Sequence, residues 1–287
     1  MNFTCEQNAS RVIFGAGKLS VLAAEVALLG FRNPVIISTP GHRDLAVRAQ
    51  QLIGTGASIF DGAIMHVPTG SISAALAHVA QHGNDGCVCI GGSTTVGLAK
   101  AVALETGLKI IAVPTTYAGS EMTPIWGITR DGVKLTGRDN KVQPRTVIYD
   151  PELTLTLPPQ ISGASGINAM AHSVEALYAE NRNPVISLLC EASISALAAS
   201  LPVIVQSPRD MAARTQALYG SWLAGIALGA VGMAIHHKLC HVLGGSFSLP
   251  HAEVHSVMLP YSVAYNREHA PEALSAIARA LNTDSAS

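Results

Sequence analysis

Four imidazoles and one amide stand at spacings that can build a single polar site. His237 and His241 lie four residues apart in His236-His237-Lys238-Leu239-Cys240-His241, and residues i and i+4 share one face of a helix. His251 follows ten residues after His241, directly behind Pro250, where a proline-bounded loop can turn it back towards the pair. Upstream, Asn168 and His172 repeat the four-residue spacing. Imidazole titrates near neutral pH and is the commonest side-chain metal ligand. Two helices and a loop are therefore expected to bring together a site suited to proton transfer or to a divalent cation.

A second chemistry is written in glycines and hydroxyls. Gly91-Gly92-Ser93-Thr94-Thr95 lies between an apolar run and a helical pattern. Glycine lets a backbone approach a phosphate, and a helix N-terminus offers open N–H groups to it. Pro114-Thr115-Thr116-Tyr117-Ala118-Gly119-Ser120-Glu121 follows the next apolar run. Hydroxyls at the carboxyl end of a parallel strand suit a ligand-lining loop. Gly15-Ala16-Gly17 lacks the third glycine of a dinucleotide fingerprint and is weak alone. Two such loops at neighbouring strand ends point to a nucleotide site.

The elements that must hold these groups change character along the chain. Short β-branched runs at 11–17, 33–39, 58–60, 86–90 and 109–113 alternate with helical patterns at 18–29, 44–54, 71–81 and 96–106. That alternation predicts a parallel sheet covered on both faces. From Pro151 onward Ala, Leu and Ser at helical spacing take over, at 163–179, 185–201, 211–230, 235–244 and 270–281. The expected division is an α/β domain over 1–152 and an all-α domain over 153–287. The stretch 218–235 carries no charge and is long enough to span a membrane, but its four glycines suit a close-packed core helix better. The last residues, Asn282-Thr-Asp-Ser-Ala-Ser287, stop the helical half abruptly, and a truncated C-terminus is expected.

Composition narrows the partners. Of 287 residues, 48% are hydrophobic and 13% charged, the net charge is −1, and the mean hydropathy is +0.33. Such a balance gives no basic footprint for nucleic acid. The five cysteines, Cys5, Cys87, Cys89, Cys190 and Cys240, are scattered and contain no C-x-x-C pair. Reduced buried thiols in a cytoplasmic protein are expected. Glu6 near the start, with no basic segment and long apolar run behind it, argues against a secretory leader.

Five motifs in order carry a family resemblance: GGSTTVGLAK (91–100), PTTYAGSEMT (114–123), YDPEL (149–153), NAMAHSVEALYA (168–179) and HHKLCHVLGGSFSLPHAEVHSVMLPYSVAYN (236–266). The chain resembles the iron-containing alcohol dehydrogenases, whose dehydroquinate synthase-like architecture implies an α/β dinucleotide-binding domain, an all-α domain and an active site in the cleft between them. Within that family it is most similar to the branch that reduces maleylacetate. The resemblance implies that the family's metal-binding aspartate falls on Asn168 and its metal-binding histidines on His172, His237 and His251. His241 matches the histidine beside nicotinamide and substrate. Gly91, Gly92 and Ser93 match the pyrophosphate loop; Thr115, Thr116 and Ser120 match a second cofactor loop. Lys134 and Leu153 align with further cofactor contacts. Ser38 and Thr39 occupy the strand end where many relatives carry an Asp for the adenosine ribose.

The departures set the expectations. Neutral Asn168 withholds charge from a divalent cation, Gly97 replaces an acidic residue of the metal-dependent members, and a divalent metal is expected not to be required. Three imidazoles, His172, His237 and His251, nonetheless suffice to hold Zn²⁺ with a water. Without an acid at Ser38–Thr39, NADH and NADPH are both admissible. The implied reaction is hydride transfer to the carbon–carbon double bond of a small dicarboxylate, maleylacetate, giving 3-oxoadipate, by a cytoplasmic homodimer with no nucleic-acid or membrane partner. Protonated histidines among His237, His241 and His251 are expected to face the developing enolate oxygen, with His241 or its water as proton donor, while His236 and His255 are read as structural or peripheral. Two alternatives stand beside this: a metal-dependent alcohol dehydrogenase, and an inactive nucleotide-binding fragment.

Overall fold

The five expected runs form strands, and three further strands, at 125–130, 133–138 and 146–149, lie outside them. In chain order the strands are β1 (Arg11–Phe14), β2 (Pro34–Ile37), β3 (Ser58–Phe60), β4 (Gly86–Gly91), β5 (Ile110–Pro114), β6 (Ile125–Arg130), β7 (Val133–Arg138) and β8 (Thr146–Tyr149). The helices are α1 (Leu22–Leu28), α2 (Arg43–Ile53), α3 (Thr69–His82), α4 (Ser93–Thr106), α5 (Pro159–Leu177), α6 (Pro184–Gln206), α7 (Met211–Ala230), α8 (Ile235–Phe247), α9 (His251–Tyr265) and α10 (Pro271–Leu281). The structure, a computed structural model, describes Phe3, Cys5 and residues 10–283 except Thr55, Asp131 and Ser248. Glu6 and the final four residues, which enter the leader and truncation expectations, lie outside the described residues.

Six strands make one parallel sheet in the order β1-β8-β5-β4-β2-β3. Every residue of β2, β4, β5 and β8 is buried, as a sheet covered on both faces requires. The chain runs outward from β2 to β3 and then reverses to β4 on the other side of β2. A ligand crevice is expected outside the carboxyl ends of strands at such a switch point. In register, Ile37 stands opposite Cys89 and Gly91 opposite Pro114. The segments leaving β2, β4 and β5 therefore emerge side by side. Leu19, Leu22, Ile36, Val88, Ile90 and Ile111 are among the core residues of this unit. Asp150 accepts N–H bonds from Gly17 (3.0 Å), Leu19 (2.9 Å) and Glu152 (3.1 Å), and so shapes the Gly15–Gly17 turn.

Contacts within the chain gather Asn8–Thr116 and Ser120–Thr154 into one unit, and Leu155–Ser287 with Tyr117–Gly119 into another. In the helical unit, Arg214 is fully buried and donates to the carbonyls of Pro208 (2.9 Å) and Leu157 (2.8 Å), Ser162 Oγ (2.8 Å) and Tyr117 Oη (3.0 Å). Gly119 has φ +81°, and a Cβ there would stand 3.0 Å from Gly225 Cα. Both observations explain why this short segment belongs with the helices. Val174, Leu177, Ile186, Cys190, Ile194 and Ile277 form part of the core here. By length and composition α6 is apolar enough to cross a membrane. Here Ser193 on α6 accepts from Ser173 of α5 and donates to the Gly220 carbonyl of α7, each at 2.8 Å.

Three sequence expectations need correction. The uncharged stretch 218–235 is not one helix, because α7 stops at Ala230 and α8 starts at Ile235 after a bend of 97°. His251 does not ride on a loop; Pro250 precedes it as N-cap and His251 opens α9. Proline fixes its own φ and has no N–H to leave unpaired, which suits the residue that precedes a helix. Finally, Cys5 is exposed, whereas Cys87, Cys89, Cys190 and Cys240 are the buried free thiols.

Candidate functional site

In the α/β unit, α4 begins at Ser93 with Gly92 as N-cap, so Ser93–Thr95 form a helical first turn rather than a loop. Thr95 closes that turn, its N–H (3.1 Å) and hydroxyl (2.8 Å) both bonded to the Gly92 carbonyl. The first N–H groups of a helix have no partner within it, which leaves Ser93 and Thr94 to face an anion. Gly91 has φ +141°, and a Cβ there would lie 2.8 Å from Thr95 Oγ1. A Cβ on Gly92 would lie 3.0 Å from Thr116 Cγ2, so the two candidate cofactor loops are in contact.

His42, which the sequence reading did not single out, ties the third strand end to these loops. Its Nδ1 meets Thr39 Oγ1 at 3.0 Å and its Nε2 meets Thr115 Oγ1 at 3.4 Å. Burial lowers its pKa, favouring the neutral ring. Ser38 Oγ and Ser120 Oγ, at two of the predicted cofactor positions, are buried without a protein partner. The Ser120 carbonyl is anchored instead by Lys100, whose ammonium also bonds the carbonyls of Thr123 and Ile125 and the Thr123 hydroxyl, all at 2.7–2.9 Å. Lys134 is on exposed β7. Leu153 packs against the core of this unit, so any cofactor contact it makes is through a partly buried side chain.

The histidines gather in the helical unit. Asn168 and His172 sit one turn apart on α5, His237 and His241 one turn apart on α8, and His251 and His255 one turn apart on α9. Ring centroids are 5.0 Å apart for His172 and His237, 6.3 Å for His237 and His241, and 5.8 Å for His241 and His251. His172 and His237 are buried; His241 is exposed and His251 half-buried. Burial, reinforced by neighbouring imidazoles, holds His172 and His237 well below the ordinary histidine pKa.

Glu175, one turn beyond Ala171 on the same helix, orients His237. Its buried carboxylate accepts the His237 Nδ1–H in a short contact. It also accepts the backbone N–H groups of Ala234 (3.1 Å), His236 (2.7 Å) and His237 (3.3 Å). A carboxylate at a helix N-terminus meets open N–H groups and a favourable dipole. A histidine that donates one ring nitrogen to a carboxylate presents the other as a lone pair, which is how metal-binding imidazoles are oriented. Burial lowers the pKa of His237, which favours the neutral ring over the protonated one expected.

Asn168 Oδ1, His172 Nδ1, His237 Nε2 and His255 Nε2 are all buried with no hydrogen-bond partner. Orphaned buried polar atoms are rare and call for an occupant. Oxygen and imidazole donors are of the type a divalent cation takes, but among the described residues the group whose ligand atoms lie within 4.8 Å of one another is His236, Cys240 and His255, not the His172, His237 and His251 of the resemblance. The expectation that no divalent metal is required gains no support from this donor set. Lys238 is exposed on α8.

Residues 9–151 match the family described as iron-containing alcohol dehydrogenase, and residues 162–287 match the C-terminal region of the same family. The chain belongs to the iron-containing alcohol dehydrogenase family. It is 53% identical over 272 residues to maleylacetate reductase 2 of Cupriavidus pinatubonensis, covering 94% of this chain and 76% of that one. It is 51% identical to a maleylacetate reductase of Burkholderia cepacia, covering 99% and 81%. The crystal structure of maleylacetate reductase from Agrobacterium tumefaciens superposes with a TM-score of 0.95 at 46% identity, covering 98% and 80%. The fold is thus an α/β nucleotide-binding unit joined to a helical unit of this family.

Proposed function

We propose that this chain is an NAD(P)H-dependent maleylacetate reductase. It transfers hydride to the carbon–carbon double bond of maleylacetate and forms 3-oxoadipate. The observation that carries the reading is the 53% identity to a maleylacetate reductase over 94% of the chain. The metal, cofactor and substrate roles of single residues are part of the same proposal.

The α/β unit binds the cofactor. Open N–H groups of Ser93 and Thr94 receive the pyrophosphate, Gly91 and Gly92 let the backbone come close, and Thr115, Thr116 and Ser120 add hydroxyls. Ser38 and Thr39 receive the adenosine ribose, with His42 bridging Thr39 to Thr115. Because neither residue is charged, a 2′-phosphate meets no carboxylate, and NADPH is admitted beside NADH.

Hydride adds to the alkene carbon β to the ketone, and the electron pair of the double bond moves onto the ketone oxygen as an enolate. A proton on the α carbon then completes 3-oxoadipate, with NAD(P)⁺ released. Asn168, His172, His237 and His251 would hold a divalent cation, which when bound polarises the substrate oxygen. Glu175 keeps His237 in the tautomer that presents Nε2. His241 is the exposed member of the set, so it can recover a proton from solvent, and we assign it the protonation of the α carbon. The histidines retained at the metal positions of the resemblance, His172, His237 and His251, favour a second reading, a metal-dependent alcohol dehydrogenase. A homodimer acting in the cytoplasm on a dicarboxylate completes the proposal, and equilibrium sedimentation tests the dimer.

The test is oxidation of NADH and of NADPH with maleylacetate, set against simple aldehydes, using chelator-stripped protein with and without Fe²⁺ or Zn²⁺. Turnover of maleylacetate is the expected result. Turnover of aldehydes alone moves the assignment to the alcohol dehydrogenase, and nucleotide binding without any turnover moves it to an inactive binding fragment.

A further inference from the structure

The turn that leaves β2 carries a cation. In dinucleotide-binding sheets a carboxylate near this point bonds the ribose 2′-hydroxyl of NADH, whereas a nearby arginine accommodates the 2′-phosphate of NADPH. Ser38 and Thr39 stand at the strand end and neither is acidic. Thr39 is followed by a single tight turn, Pro40–His42, and Arg43 is the first residue of α2.

Backbone pairing and one ion pair bring the Arg43 guanidinium back to that strand end. β3 lies parallel to β2, with Ile37 opposite Phe60. The Ser38 N–H donates to the Phe60 carbonyl (3.0 Å), and the Ala63 N–H donates to the Ser38 carbonyl (3.2 Å). Asp61, which follows Phe60 in the chain, therefore stands beside Ser38. Arg43 Nη1 meets the Asp61 carboxylate at 2.5 Å. His42 is not the cation here: burial lowers its pKa, and its two ring nitrogens meet the hydroxyls of Thr39 and Thr115 at 3.0 and 3.4 Å.

The state of this guanidinium suits a phosphate. The Arg43 side chain is 57% exposed and that of Asp61 36%; so open an ion pair is worth little, and a dianion can compete with the carboxylate. Among the described residues only Nη1 has a partner, which leaves Nε and Nη2 of a planar fork that matches phosphate bidentately. A cation in the first turn of a helix opposes the macrodipole, a cost that a bound anion offsets. Ser38 Oγ is buried without a protein partner. Buried hydroxyls are nearly always bonded, and a phosphate oxygen would supply the acceptor. We propose that Arg43 is a specificity-determining residue that binds the 2′-phosphate of NADPH beside Ser38. This rests on the cofactor site proposed above and adds the residue that reads its adenosine end.

The probes are adenosine 2′,5′-bisphosphate, its 3′,5′ isomer and 5′-AMP, with NADPH and NADH beside them. Each is titrated calorimetrically into wild type, Arg43→Gln and Arg43→Lys, with melting temperatures as a check of folding. Wild type is expected to bind the 2′,5′-bisphosphate more tightly than its isomer or 5′-AMP. Hydrogen bonds to a charged group correspond to about 10–100-fold in affinity. Arg43→Gln is expected to lower the ratio of NADPH to NADH affinity by that factor. Arg43→Lys keeps the charge without the fork and is expected to recover part of the loss. An unchanged ratio in Arg43→Gln overturns the assignment, as does equal binding of the two bisphosphates by wild type. Binding of NADH without NADPH by wild type overturns Arg43 alone and leaves the cofactor site standing. Absence of any nucleotide binding overturns the cofactor site and Arg43 together. Maleylacetate turnover, measured separately, then judges the reductase reading by itself.

Discussion

The Glu175 carboxylate holds His237 by its ring Nδ1–H and by its backbone N–H, and receives the N–H groups of Ala234 and His236 as well. One side chain thereby starts α8, bends the chain after α7 and aims an imidazole. Burial raises the pKa of this carboxylate, while the backbone N–H groups of His236 and Ala234 hold it down. Glu175→Gln keeps the shape but loses the charge, and is expected to weaken Zn²⁺ or Co²⁺ binding about tenfold. Glu175→Ala strands the N–H groups and is expected to cost about 3 kcal/mol of stability. Metal titration and urea melts check the two effects separately; wild-type metal affinity in Glu175→Gln contradicts the assigned role.

Arg214 is the largest fully buried side chain, and its partners include Tyr117, Ser162 and two carbonyls. Arg214→Leu leaves these acceptors and the Tyr117 hydroxyl without their donor, at an expected cost of about 3–5 kcal/mol. Chemical denaturation of the variant measures this; a loss under 1 kcal/mol contradicts it.

Gly92 has an ordinary φ of −87°, so alanine there tests space alone. Its Cβ would crowd Thr116 and the phosphate path. Gly92→Ala is expected to raise KM for NADH about tenfold, equivalent to ~1.4 kcal/mol, with an unchanged melting temperature. A normal KM removes this loop from the cofactor site.

Lys100 supplies a pH test. Burial draws its pKa down to about 7, opposed by the neighbouring Glu121. The unfolded chain keeps a lysine protonated to about 10.4. Between about pH 7 and 10 the unfolded state therefore binds the extra proton, and stability rises with pH. Relative to Lys100→Met, wild type should gain on the order of 1 kcal/mol per pH unit from pH 7 to 9. Urea melts across that range read it, and a constant difference shows an ammonium that stays charged throughout.

The parallel sheet was legible because buried strands read as unbroken apolar runs, as in Pro34–Ile37 and Gly86–Gly91. The β6–β7 pair was not, since β7 is largely exposed and Val133 and Leu135 share it with Lys134 and Arg138. Spacing alone paired Asn168 with His172 and His237 with His241, because both pairs sit one helical turn apart. His251 was found but its setting was not: Pro250 and Pro260 hid a helix that places one at its cap and tolerates the other inside. That hidden turn is what carries His255 to the centre of the cluster. His42 left no signal, because its role depends on two hydroxyls that meet only once β2 and β5 lie in one sheet. Glu175 was inside a quoted motif, yet only the bend between α7 and α8 brings it to His237.

The most direct test follows the hydride itself. Maleylacetate is reduced with cofactor deuterated at the transferable position of nicotinamide C4, and the product is read by proton and deuterium NMR. The account predicts 3-oxoadipate with deuterium on the carbon β to the ketone and a solvent proton on the α carbon. Deuterium on a carbinol carbon, with the double bond intact, would contradict it and make the chain a carbonyl-reducing alcohol dehydrogenase.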